Sequence, residues 1–136
     1  MLPCKAERRE RAVTLDGLAL NLGMQSCEAD GSIYAISSAD VLDPNRVGPV
    51  LEHWQRSTAE NIGAIAKQLS VAKVRGMTPN DRALLLQIDG HAPDGSALVE
   101  QSLFFVKGTR IFQAAIVARK WKQDAADTFF EGIVLP

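Results

Sequence analysis

The sequence predicts an α+β domain. It has a single, mainly antiparallel sheet in the order β-β-β-α-β-β-β-β-α, a long helix packed on that sheet and a short C-terminal helix. Three observations carry this. Two stretches, 12–22 and 98–118, alternate apolar and polar residues about a two-residue turn, which is the pattern of a β-hairpin. Between positions 47 and 69 apolar residues recur at three- and four-residue spacing, the period of an amphipathic helix. Short turns join most neighbouring strands, and strands so joined must pair antiparallel.

Residues 1–11 read as a flexible N-terminal arm, and 12–136 as one domain. Asp16-Gly17 suits a type I′ turn. It sets Leu15 against Leu18 and Val13 against Leu20 on one face, with Leu22 continuing it. Residues 23–31 read as a polar connection carrying Cys27, and Ser32 to Ala39 as the third strand. Asp43-Pro44-Asn45 forms a turn into the helix. There Val47, Val50, Leu51, Trp54, Thr58, Ile62, Ile65 and Leu69 make an apolar stripe about six turns long. A short strand follows over 71–75, then a loop, then a strand over 82–89 with Leu84, Leu86 and Ile88 on one side. Pro93-Asp94-Gly95 turns the chain into the long hairpin.

That hairpin hinges on Gly108-Thr109, with glycine where a type II′ turn needs positive φ. The register pairs Lys107 with Arg110, Phe105 with Phe112, Leu103 with Ala114, Gln101 with Ile116 and Val99 with Ala118. Side chains alternate across a strand, so these residues share one face, suited to burial against a helix. The other face is mixed: Phe104, Val106 and Ile111 lie among Ser102, Gln113 and Glu100. A terminal helix then carries Ala126, Phe129, Phe130 and Ile133 as its buried stripe, with Asp124 as its N-cap.

Composition bounds the function more than it names it. A chain of 136 residues has room for one core. Its net charge of −1, without a block of either sign, argues against nucleic acid as the main ligand. No apolar run approaches the roughly 20 residues of a transmembrane helix. His53 and His91 lie far apart and outside any metal-ligand spacing. Asp40 and Asp43 read as turn residues, as do Asp89 and Asp94. No nucleophile elbow, phosphate loop or dinucleotide fingerprint occurs. The expectation is therefore a non-enzyme without catalytic residues, metal or cofactor.

The two cysteines, Cys4 and Cys27, leave three readings open. They are two unrelated thiols, or a disulfide tying the arm to the first strands, or Cys4 carries a lipid in a precursor. A bridge would close a loop of a couple of dozen residues, worth about 3 kcal/mol in the chain-entropy model. Phe104, Val106 and Ile111 form a candidate partner-binding strip on the mixed face, able to take an apolar segment if that face stays open.

The hairpin at Asp16-Gly17, the helix with Trp54, and Gly90 followed by Pro93-Asp94-Gly95 come first in a longer pattern. Phe104-Phe105, Lys107-Gly108, Ile111-Phe112-Gln113-Ala114 and Phe129-Phe130 complete it. In this arrangement, over nearly all of residues 12–135, the chain resembles the PsbP/DcrB-like superfamily, which also includes the Ran-binding nuclear import factors. The resemblance implies a central antiparallel sheet with helices on its faces. It also implies a protein that binds partners: members include photosystem accessory proteins, bacterial envelope lipoproteins and cytosolic chaperones for secreted effectors. The reading that follows is a non-catalytic binding or accessory module of the bacterial envelope or periplasm, in one form a lipoprotein, whose partner is another protein. The alternative is a cytoplasmic chaperone or adaptor that holds an apolar segment of a secreted client.

Overall fold

The computed structural model describes residues 2–135. The elements are β1 (Glu7–Leu15), β2 (Leu18–Ala29), β3 (Ser32–Asp40), α1 (Val47–Asn61) and β4 (Lys67–Val71). They continue with β5 (Leu84–His91), β6 (Ala97–Lys107), β7 (Arg110–Ala118) and α2 (Gln123–Glu131). The strands form one seven-stranded sheet in the order β1-β2-β3-β7-β6-β5-β4, every pairing antiparallel. This is the α+β architecture and element order that the sequence predicts. The β6–β7 hairpin keeps the expected register, from Lys107 opposite Arg110 to Val99 opposite Ala118.

Each face of the sheet has its own core. On one, α1 lays Val47, Val50, Leu51 and Trp54 over Leu15, Leu20 and Leu22 of the first hairpin and Phe104, Val106 and Ile111 of the last. Trp54 meets Phe104 edge-on, with ring centroids 5.6 Å apart. On the other, α2 sets Ala126 and Phe129 with Tyr34, Leu103, Ala114 and Ile116. Phe129 meets the Tyr34 ring edge-on at 5.2 Å.

Besides the strand expected over 71–75, which forms earlier as β4 (Lys67–Val71), four elements differ from the sequence expectation. The segment expected to be a loose arm joins the sheet from Glu7, paired residue by residue with β2 from Glu7–Ser26 to Leu15–Leu18. The expected polar connection over 23–31 is strand as far as Ala29. Asp30-Gly31 repeats the dipeptide at Asp16-Gly17, and all four residues have positive φ. Both are therefore type I′ hairpin turns, whose twist matches that of the flanking strands.

The third difference is the length of α1, which ends at Asn61 rather than near Leu69. Gly63 adopts φ +69. Its N–H donates to the Glu60 carbonyl, and the Ala64 N–H donates to that of Ala59. This paired arrangement is a Schellman stop, in which a left-handed glycine satisfies the last helical carbonyls. Ile65 is consequently 92 % exposed and Leu69 lies on β4, so neither extends the buried stripe. The apolar recurrence at 65 and 69 was coincidental spacing beyond a helix stop. Fourth, Asp124 lies in the first turn of α2, and Lys122 occupies the cap position.

Candidate functional site

The faces differ in how completely they are covered. The strip expected at Phe104, Val106 and Ile111 is not open: the three are 0 %, 1 % and 0 % exposed beneath α1. The face reads as mixed because polar residues share it, but α1 crosses where its apolar residues cluster. The polar remainder satisfies itself in a chain. Thr58 Oγ1 donates to the Trp54 carbonyl. Gln113 Nε2 donates to Thr58 Oγ1 and, at 3.1 Å, to Ser102 Oγ. Ser102 Oγ in turn donates to Glu100 at 2.6 Å. Burial pushes the Glu100 carboxyl up from its ordinary range, and the Ser102 hydroxyl opposes this less strongly.

The larger opening lies on the face of α2, beyond the reach of that short helix. A smaller one of about 430 Å³ lies on the other face beside the end of α1, among Gln55, Arg56, Ile65 and Leu86. Across the α2 face a row of residues crosses five strands: Glu10, Gly23, Ser38, Phe112 and Phe105, each opposite the next. It runs from charge at the β1 edge to two stacked rings at the sheet centre, with centroids 5.0 Å apart. The adjoining row begins Arg8, Gln25, Ile36. Together they floor a groove of about 760 Å³, within the range of roughly 300–1,000 Å³ usual for ligand pockets.

Both ends of the chain wall this groove. Leu2, Cys4 and Ala6 stand on one side, and Ile133 to Leu135 on the other. Each wall is fastened. Cys4 and Cys27 are joined in a disulfide across 23 residues, with Cα atoms 5.8 Å apart. Cys27 faces the groove side because it lies opposite Tyr34. The C-terminal wall is held where Leu135 donates its N–H to the Arg75 carbonyl and Val134 bridges to Arg75. Gly76 lies so close to Leu135 that an added Cβ would fall 2.8 Å from its carbonyl oxygen. Of these wall residues the sequence singled out the two cysteines, and Ile133 as a helix core residue; Ala6 and Leu135 carry no sequence signal.

The bridge also decides between two uses of Cys4. A sulfur in a disulfide has no valence left for a thioether-linked lipid, so lipidation at Cys4 and the Cys4–Cys27 bond exclude each other.

The other candidate residues lie apart from the groove. His53 is on α1, and His91 ends β5 with its N–H on the Ile62 carbonyl. Asp40 accepts from Thr109 Oγ1 at 2.6 Å and from the Leu42 N–H, and these bonds hold its carboxyl below its ordinary range. Asp94 is lowered in the same way by Ser96, with Arg119 alongside. Asp43 caps the short turn before α1 by accepting from Asn45. Among the described residues no group of three or more His, Cys, Asp or Glu is placed to hold a metal ion. Nor is any helix among them long and apolar enough to cross a membrane. Compared with family models, curated proteins and solved structures, the chain finds no match.

Proposed function

We propose that the chain is a non-catalytic binding module of the bacterial cell envelope, and that its groove receives an apolar side chain of a partner protein. The observation that carries this is the Cys4–Cys27 disulfide in the groove wall. Disulfides persist in oxidising compartments such as the periplasm and are reduced in the cytosol. The resemblance to the PsbP/DcrB-like superfamily supports a binding role; its members include cytosolic chaperones as well as envelope lipoproteins, so the choice of compartment rests on the disulfide. The alternative, a cytosolic chaperone, relied on the strip of Phe104, Val106 and Ile111, and that strip is buried. The lipoprotein form of the reading is set aside for Cys4, whose sulfur the bridge occupies.

The test is a thiol count by mass spectrometry on chain exported to a bacterial periplasm and isolated without reductant. A gain of two hydrogens on reduction, at monomer mass, supports the reading; two free thiols sink it. A photo-crosslinker in place of Phe112 then tests the groove. The expected adduct is with one envelope protein, absent when the probe replaces Pro49, exposed on α1 and away from both pockets. Equal labelling from both positions rejects the groove.

A further inference from the structure

The two edges of the sheet are built differently. β4 has five residues, carries Lys67, and breaks register between Gln68 and Ser70. Shortness, lysine and bulges are devices by which edge strands avoid pairing with another chain. β1 has none of these. It runs nine residues in unbroken register with β2, and Glu7 to Ala12 are exposed on both sides of the sheet. Among the described residues no strand lies against its outer edge. Its only guard is charge, in the order Glu7, Arg8, Arg9, Glu10, Arg11.

We infer that β1 pairs antiparallel with β1 of a second copy of this chain, in the register that sets Arg9 opposite Arg9. The geometry restricts the choice. In a hairpin with a two-residue turn the flanking pair, here Leu15–Leu18, is hydrogen-bonded, so odd positions of β1 direct their backbone groups at β2. Even positions direct theirs outward: Arg8, Glu10, Ala12 and Thr14. An antiparallel partner must match outward groups with outward groups, so paired positions share parity and the two-fold axis falls on a residue.

Charge then selects among those registers. Centred on Arg9, Glu7 faces Arg11 twice and Arg8 faces Glu10 twice, against one Arg9–Arg9 contact. Centred on Arg8, the complementary pairs fall to Glu7–Arg9, still with one arginine facing itself. Centred on Glu10, Arg9 faces Arg11 twice and Glu10 faces itself. Centred on Glu7, the carboxylates meet and Lys5 faces Arg9 twice. Opposite charges directly across a sheet stabilise the pairing and like charges oppose it. The charged run that deters other strands is therefore complementary to itself in one register.

The pairing two-fold stands perpendicular to the sheet, so the same face of each copy lies on the same side. The seven-stranded sheets join into one, and the grooves meet at the junction, because Arg8 and Glu10 line both. This arrangement stands on β1 alone and does not depend on the envelope reading.

Sedimentation equilibrium on the oxidised chain tests it. The wild type is expected to be a monomer–dimer system that weakens as salt rises. Arg8→Glu sets a carboxylate opposite Glu10 of the other copy in both symmetric pairs, and should raise the dimer Kd at least about tenfold. The double change Arg8→Glu with Glu10→Arg restores complementarity and should restore the dimer. The register is read by Arg9→Cys. Across the two-fold its Cα atoms would lie about 4.5 Å apart, within reach of a disulfide. It should cross-link to itself on oxidation, whereas Ala12→Cys should not. A wild type that stays monomeric overturns the inference, as does a dimer indifferent to Arg8→Glu. Self-linking through Ala12→Cys in place of Arg9→Cys also overturns it. Arg8 is exposed, so unchanged thermal melting of its variant separates lost pairing from lost folding.

Discussion

The two faces of the sheet divide the work of this molecule. The α1 face is covered by a helix of 15 residues, and its largest side chains are fully buried, with a hollow of about 430 Å³ left only beside the helix end. The α2 face is covered by a helix of nine residues, and what that helix leaves open is walled by the chain ends. One face is closed by packing alone. The other is closed by fastenings: a disulfide, a β-bridge and main-chain hydrogen bonds. Packing defects are costly because the interior cannot collapse to fill them. Fastenings instead limit where loose ends go, and leave space between them. Stability should therefore concentrate on the α1 face, and binding on the α2 face.

The sharpest way to break that contrast is a matched pair of truncations. Phe104 is fully buried against Trp54, so Phe104→Ala should cost about 3–5 kcal/mol. Phe112, half-buried on the groove floor, should cost under about 2 kcal/mol on the same change. Urea unfolding of both variants reads the difference. Equal costs would mean that the groove floor is as much a core as the sealed side.

Next in size is the bridge. Reduction of Cys4–Cys27, or Cys4→Ser with Cys27→Ser, should lower stability by about 3 kcal/mol for a loop of this length. The crosslinking expected at Phe112 should fall at the same time, since one groove wall is released. A bridge whose loss leaves the urea midpoint unmoved would place the N-terminal wall outside the folded unit.

A smaller effect is expected where α1 ends on the sheet. Gly90 of β5 lies under the last turn of α1, and an added Cβ would fall 2.4 Å from the Ile62 carbonyl oxygen and 2.8 Å from its side chain. Gly90→Ala must push the helix end outward and should cost about 1–3 kcal/mol. Thermal unfolding that matches the wild type would show that this part of the sealed face can give way.

Most of the sheet was legible from local chemistry, and the misses have physical causes. The Gly108-Thr109 hinge and the Phe105–Phe112 pairing follow from turn geometry and alternation, which act over a few residues. The stop at Gly63 carried the same kind of signal, but apolar residues at 65 and 69 continued the helical spacing past it. Asp30-Gly31 was missed because β2 is polar on both sides there, so no alternation marked the strand. The candidate site is a different matter. Whether Phe104 or Phe112 is covered depends on where α1 and α2 cross the sheet, and no spacing within a strand records that. The groove walls come from opposite ends of the chain, and only the cysteines announced one of them.

The smallest effect tests whether the sealed face is sealed electrostatically as well. Glu100 lies there with Ser102 as its hydrogen-bond donor, and burial raises its carboxyl above the ordinary range. The folded chain thus keeps this proton to a higher pH than the unfolded chain does. Where the unfolded state binds fewer protons, stability falls as pH rises. The cost is absent below the ordinary carboxylate range, grows as pH climbs toward the raised folded value, and is constant above it. Glu100→Gln removes the titration while keeping the shape and an acceptor for Ser102. Its melting temperature should exceed that of the wild type at neutral pH, with the gap narrowing toward pH of about 4. A gap that stays constant with pH, or widens in acid, would mean that water reaches Glu100 and that the α1 face leaks where its polar chain begins.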